Sequence, residues 1–199
     1  MKLLISPPSP FVRKVRVLLR EADLMDRVTE VEVSTTPLAT DLVVMAANPV
    51  GKIPTLIRDE GPAIYDSRVI CRYLDTLAET DFYPSSRLWE VLTLEATADG
   101  IMDAAVGMVY EARFRPEAQQ SPEWLEAQWE KVDRAVSALN MRWMSHLAGP
   151  VHTGQIAVGC ALSYLDFRHE GQDWRAGHDA LAAWHAAFVA RDSMVETRP

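Results

Sequence analysis

Apolar positions along this chain recur at two different periods, and the change from one to the other divides it. Lys2 to Ser6 reads as a short strand, and Val12, Val15, Leu19 and Ala22 then return at helical spacing through 12–22. Val28 to Ser34 carries Val28, Val31 and Val33 in an imperfect alternation whose β-branched content favours a strand. A short helix is expected over Leu38 to Ala47. Thr55 to Asp59 and Ala63 to Tyr65, joined through Asp59-Glu60-Gly61-Pro62, predict a hairpin with a turn-forming link. Ser67 to Ala78 is helical, with Val69, Ile70, Tyr73, Leu74 and Leu77 on one face. Residues 1–79 therefore read as βαβαββα, a mixed sheet with helices.

The stretch Glu79 to Ser86 is polar and holds Pro84, which predicts a linker over 80–86. Beyond it the strand period disappears. Residues 87–113 carry a long helical pattern that Arg115-Pro116-Glu117 ends. From Leu125, the residues Trp129, Val132, Val136, Leu139 and Trp143 follow at alternating spacings of four and three, the pattern of one continuous helix face packed in a core. Further helices are expected over Gln155 to Phe167 and Asp179 to Ala190, the last with Leu181, Trp184, His185 and Phe188 inward. The organisation is a small α/β domain over 1–79 and an all-α domain over 87–199, without internal repeats.

Composition narrows the function. A net charge of −8 and a pI near 5.1 disfavour nucleic acid as a partner, which needs a basic surface, while leaving small anions free to bind locally. No apolar run reaches membrane-spanning length, and Met1 to Ile5 is broken by Ser6-Pro7-Pro8 before it could serve as a signal core, so the protein reads as cytoplasmic. Cys71 and Cys160 lie far apart in helical patterns and match no metal spacing, so both read as packing thiols and no metal is expected.

Three places hold candidate chemistry. Ser9-Pro10 offers Ser at an N-cap and Pro at the first helical position; this is either a well-capped helix or a hydroxyl at a positive helix end, beside Arg13 and Lys14, placed to hydrogen-bond a ligand thiolate. Ser9 has little prospect as a nucleophile, because no His lies in the first half of the chain to act as its base. In Asn48-Pro49-Val50-Gly51-Lys52-Ile53-Pro54-Thr55-Leu56 a proline precedes a short apolar run. If Pro54 is cis, Ile53 presents its N–H and C=O to solvent and a peptide-like ligand can dock as an extra strand. Asp66-Ser67 is equally an N-cap pair and a helix start offering N–H groups to an anion.

Together these segments resemble the glutathione S-transferases, bacterial members most of all. The resemblance runs through Ser6-Pro7-Pro8-Ser9-Pro10-Phe11-Val12-Arg13-Lys14-Val15-Arg16, Asn48 to Pro54, Asp66-Ser67-Arg68-Val69-Ile70, and Ala161-Leu162-Ser163-Tyr164-Leu165-Asp166-Phe167-Arg168. It implies a thioredoxin-like N-terminal domain that binds glutathione as co-substrate, a helical C-terminal domain that shapes the pocket for the second substrate, and a homodimer. On that footing Ser9 contacts the glutathione sulfur, Ile53 pairs its backbone with the cysteinyl part ahead of the cis-proline Pro54, and Asp66 and Ser67 hold the γ-glutamyl end. Lys52 is a weaker candidate for a further polar contact. Phe11, Tyr110 and Arg113, with Phe114, Pro7 and Pro8, are either second-substrate residues or packing and surface residues.

Two positions depart from the family pattern. Asp66 stands where many members have Glu, a shorter reach with the same charge. His152 and Gln155 stand where Ser or Thr and Asp usually form a capping box, which predicts a weaker cap or one made by Thr153. The function expected is transfer of glutathione to a small electrophile. The alternatives are a glutathione-dependent disulfide or peroxide reductase and a non-catalytic protein of the same fold serving stress response.

Overall fold

The computed structural model describes residues 1–199, and they fall into two compact units, Met1–Pro84 with Arg191–Pro199, and Ser85–Ala190. In the first unit, strand β1 (Lys2–Ile5) is central in a sheet ordered β2-β1-β3. It pairs in parallel with β2 (Thr29–Glu32) through the crossover helix α1 (Pro10–Glu21), and antiparallel with β3 (Thr55–Ile57), Leu4 opposite Thr55. Leu4, Val33 and Val44 form a buried cluster against which Val31, Ala47, Ile53 and Ile57 pack. Helix α2 (Leu42–Ala47) supplies Val44 to it, while α3 (Ser67–Ala78) packs on α1.

Two expected elements are shorter than their patterns. The hairpin over 55–65 keeps only one antiparallel residue pair beyond β3, Leu56 with Ile64, joined by two hydrogen bonds of 2.9 Å. Pro62 has no N–H to donate, and its carbonyl accepts from the Arg58 side chain at 2.9 Å instead of from a neighbouring strand. Helix α2 begins at Leu42 rather than Leu38, because a tight turn pairs Thr36 with Ala39 and Asp41 then caps the helix on the Val43 N–H at 2.8 Å.

The second unit is helical: α4 (Leu88–Phe114), α5 (Pro122–Ala138), a π-turn over Leu139–Trp143, α6 (Met144–Leu147), α7 (Thr153–Arg168) and α8 (Asp179–Phe188). Helix α7 is its core element, buried without a break from Thr153 to Leu162. It lies so close to α4 that a Cβ on Gly154 would sit 2.9 Å from the Leu94 Cβ. The continuous helix expected through Trp143 is present, with helical backbone unbroken from Pro122 to Leu147. Val132, Val136 and Leu139 are buried, Trp129 and Trp143 only half so, and the helix widens into the π-turn over Leu139–Trp143. There the Asn140 side chain accepts the Leu181 N–H at 3.0 Å, capping α8, whose own N-cap residue makes no side-chain cap bond. No helix is long and apolar enough to cross a membrane.

The chain does not end in the helical unit, where sequence patterning placed everything from 87 to 199. Its last residues, with the short helix α9 (Asp192–Val195), belong to the first unit, held where Arg191 and Ser193 hydrogen-bond Glu21.

The α7 cap is stronger than its sequence suggests. His152 Nδ1 accepts the Gln155 N–H at 3.3 Å while Gln155 Oε1 accepts the His152 N–H at 2.9 Å, a complete capping box with imidazole in place of a hydroxyl. His152 Nε2 donates to the His146 carbonyl at 3.2 Å, which leaves Nδ1 unprotonated for the cap. Burial pushes the His152 pKa below its ordinary value, the His146 hydrogen bond opposing and the charges of Arg87 and His146 adding to the fall. A depressed histidine contributes stability that is whole above the unfolded-state pKa of about 6.5 and is lost as pH falls through the folded-state value. His152→Ala is therefore expected to cost about 1 kcal/mol at about pH 7.5, and the gap from wild type to narrow toward about pH 5, read by urea unfolding across pH.

Candidate functional site

Strand register brings the sequence-predicted features of the first unit to one end of its sheet. Beyond Ile5 the chain turns through Pro7 and Pro8, closed by the Ser9 N–H to the Ser6 carbonyl at 3.0 Å, and enters α1 at Ser9. Since Leu4 faces Thr55 in antiparallel pairing, Ile53-Pro54 extends past β3 on that same side. The pairing of Leu56 with Ile64 likewise carries Tyr65-Asp66-Ser67 back toward it.

Ser9 is the N-cap of α1, with extended backbone and its Oγ accepting the Val12 N–H at 3.3 Å. Its carbonyl accepts the Arg13 N–H at 3.0 Å. With Oγ used as acceptor, the hydroxyl proton is left to donate outward, at the positive end of a twelve-residue helix. The neighbouring cations are not presented there as expected. Arg13 and Lys14 are both buried, and Arg13 donates from Nη2 to the Met194 carbonyl at 2.9 Å. Helical spacing explains this: position 13 follows the buried face that Val12 and Val15 define.

The Ile53-Pro54 bond is cis. Pro54 is buried, and because β3 begins only at Thr55, the N–H and C=O of Ile53 enter no sheet hydrogen bond. Asn48 keeps this loop in shape. Fully buried, it donates from Nδ2 to the Lys52 carbonyl at 2.9 Å and to Thr55 Oγ1 at 3.1 Å, and its Oδ1 accepts the Val50 N–H at 2.9 Å. Thr55 Oγ1 donates in turn to the Lys52 carbonyl at 2.8 Å. Gly51 completes the loop at φ +68°, where a Cβ would come within 3.0 Å of Thr40. The Lys52 main chain is fixed from two sides while its side chain is exposed.

Asp66 is the N-cap of α3: Oδ1 accepts the Arg68 N–H at 3.0 Å and Oδ2 lies 3.3 Å from the Arg68 guanidinium. Its carboxylate stays exposed, whereas Ser67, at the first helical position, is buried. The Ser67 N–H belongs to the first turn of α3, whose amides have no partner within the helix.

Of the remaining candidates, Phe11 lies half-buried in the first turn of α1. Tyr110 and Arg113 belong to the second unit, both exposed near the end of α4. The Arg113 guanidinium stacks over Phe114 at 5.3 Å and the Tyr110 ring lies 5.5 Å from it. Burial raises the Tyr110 phenol above its ordinary pKa, against the opposing charge of Arg113. On α7, burial pushes the Tyr164 phenol up to about 12.

Sequence reasoning passed over Asn48 and Thr55 as individuals, although they determine the shape of the Ile53 loop. The available signal was Asn48 ahead of Pro49 and Gly51, since Asn in a turn accepts the N–H two residues on.

Residues 8–77 match the family described as "Glutathione S-transferase, N-terminal domain", and 122–187 match "Glutathione S-transferase, C-terminal domain". The "Uncharacterized GST-like protein YibF" of Escherichia coli (strain K12) is 34% identical over 204 residues, covering 100% of this chain and 98% of its own. A glutathione transferase family member from Pseudomonas fluorescens Pf-5, crystallised with bound glutathione, is 42% identical with a TM-score of 0.96, covering 100% of this chain and 98% of that one. A glutathione S-transferase from Methylobacillus flagellatus KT with glutathione bound is 37% identical with a TM-score of 0.85, covering 100% and 98%.

Replacing Asn48 by Ala removes the acceptor of the Val50 N–H and one of the two donors to the Lys52 carbonyl, which keeps its bond from Thr55 Oγ1, for an expected loss of about 1–2 kcal/mol. Chemical denaturation measures it, and a variant within experimental error of wild type would remove Asn48 as the organiser of the loop.

Proposed function

Because this chain belongs to the glutathione S-transferase family, we propose that it binds reduced glutathione at the sheet end of its first unit, activates the thiol there and transfers it to a small electrophile. The observation that carries this reading is Ser9: its Oγ accepts from Val12 at the start of α1, so its own proton is available for a sulfur anion. Ile53 offers an unpaired N–H and C=O to the cysteinyl part of the tripeptide, as an added strand would use them. The Ser67 N–H and hydroxyl suit the γ-glutamyl carboxylate and the exposed Asp66 carboxylate its ammonium, with Lys52 a further polar contact. Donors for a thiolate and a carboxylate, with open strand groups between them, fit this ligand's chemistry.

In the reaction the glutathione thiol gives its proton to solvent, and the resulting thiolate, stabilised by the Ser9 hydroxyl and the α1 peptide dipoles, attacks an electrophilic carbon. A new C–S bond forms while a leaving group departs or an unsaturated carbon takes up a proton. Lowering a thiol from an ordinary pKa near 8.5 to about 6.5 corresponds to about 2.7 kcal/mol of preference for the thiolate and makes it the main species at neutral pH. Ser9 acts as a hydrogen-bond donor and forms no covalent bond. For the electrophile the reading assigns Phe11, Tyr110 and Arg113.

Calorimetry is expected to show glutathione binding at millimolar concentration; no heat would sink the reading. Ser9→Ala is expected to keep binding, to return the bound thiol's pKa toward about 8.5, and to lose about 10- to 100-fold of conjugation rate at neutral pH, the deficit shrinking as pH rises. An unchanged pH–rate profile would remove the role given to Ser9. Binding without conjugation, but with disulfide or peroxide turnover, would move the activity to reduction.

The same reading extends to a homodimer. Leu38, Leu42, Val43, Met45 and Val50 are all exposed in and around α2, an apolar surface that supports self-association. Analytical ultracentrifugation is expected to give twice the chain mass.

A further inference from the structure

We propose that the C-terminal segment, Arg191–Pro199, is a positioning clamp for α1 that sets where the Ser9 hydroxyl sits, and so how far a bound thiol is acidified. The proposal rests on the preceding reading of Ser9. The segment grips α1 near both of its ends. In the second turn, the buried Arg13 donates from Nη2 to the Met194 carbonyl at 2.9 Å and from Nε to Thr197 Oγ1 at 3.5 Å. Thr197 is itself fully buried and donates to the Ser193 carbonyl at 2.7 Å. In the last turn, the Glu21 carboxylate accepts two bonds from Arg191, at 2.8 and 2.7 Å, and one from Ser193 at 2.5 Å. Beside it Arg20 pairs with Glu196 at 3.0 Å.

The two grips lie eight residues apart, about 12 Å along the helix. Apolar packing through Val12, Val15, Leu18 and Leu19 decides which side of α1 faces inward, but it is non-directional and tolerates small slides and rotations. Hydrogen bonds at two separated points do not, because their energy falls steeply with distance and angle. The inner grip reaches the site in one step: Arg13, held by Met194, gives its N–H to the Ser9 carbonyl at 3.0 Å. A hydroxyl displaced by a fraction of an ångström gives a longer, weaker bond to sulfur, and the thiol's acidity reports that loss directly. At neutral pH the outer grip is fully charged. Burial acts to raise the Glu21 pKa, but the hydrogen bonds from Arg191 and Ser193 and the Arg191 charge outweigh it and hold the carboxyl below its ordinary value.

The test is the double variant Glu21→Gln with Thr197→Val, which loosens both grips while keeping side-chain shape. Thr197→Ser alone, which keeps the hydroxyl, is the conservative comparison. Thiolate absorbance against pH gives the bound thiol's pKa, calorimetry gives affinity for S-methylglutathione, which has no thiol to ionise, and thermal unfolding gives stability. The bound thiol's pKa is expected to rise by about one, leaving about tenfold less thiolate on its acidic side. S-methylglutathione affinity stays as in wild type, and Thr197→Ser keeps the wild-type pKa. A fall in Tm with the thiol pKa unchanged would overturn the proposal, leaving the segment a stabilising tail. If the double variant does not fold, Glu21→Gln alone is read by the same comparison. A wild-type protein that binds glutathione without acidifying it sinks the role of Ser9 instead, a result separable from failure of the clamp.

Discussion

The antiparallel register of β1 against β3 is the constraint on which the first unit depends. Leu4 opposite Thr55 is a contact between residues 51 positions apart, and it converts local loop features into neighbours. A slip of one residue would turn Leu4 away from the Val33 and Val44 cluster and carry Ile53-Pro54 out of line with the Ser9 turn. Burial of Leu4 therefore holds the register, and the register holds the site. The same pairing explains why the lone Leu56–Ile64 bridge suffices where a full fourth strand was expected: one residue pair is enough to aim Tyr65-Asp66-Ser67 at the sheet end.

A second constraint acts on the loops themselves. Backbone groups can be offered to a ligand only where the surrounding chain satisfies its own polar groups. Around Ile53 that is the work of Asn48 and Thr55, at Ser9 of the Val12 cap, and at Ser67 of Asp66. Each such bond contributes only about 1 kcal/mol net, but each would cost more if left half made. The loops are consequently stiff, and ligand groups meeting them have little ordering left to oppose binding.

What the sequence made legible follows from the range of the forces involved. Helices α1, α3 and α4 were visible because their apolar spacing is a local property, and Ser9, Pro54 and Asp66-Ser67 stood out through turn and cap chemistry that is equally local. Two of the misreadings lie where a single side-chain bond is made, once between residues four apart and once between residues 41 apart. Arg58 takes the Pro62 carbonyl beside the shortened hairpin; Asn140 accepts from Leu181 within a π-turn that apolar periodicity does not distinguish from α-helix. Imidazole at His152 accepts an N–H as a hydroxyl would, though residue preferences for caps rank it low. The return of Arg191–Pro199 to α1 joins charges some 170 positions apart, and no pattern along the chain encodes such a pairing.

The burial of Arg13 and Lys14 bears on how an acidic protein would stabilise an anionic sulfur. With a net charge of −8, the chain supplies no general positive field, and the cations nearest Ser9 in sequence have their side chains buried. On the proposed reading the work falls to fixed, neutral donors: the Ser9 hydroxyl and the free end of the α1 peptide dipoles. Such donors depend on direction far more than a point charge does, since a hydroxyl aimed a few tens of degrees away contributes little. Arg13 then has a different use for its charge. Buried, it must be hydrogen-bonded, and the Met194 carbonyl that accepts from it ties the far end of the chain to the helix whose alignment the neutral donors require.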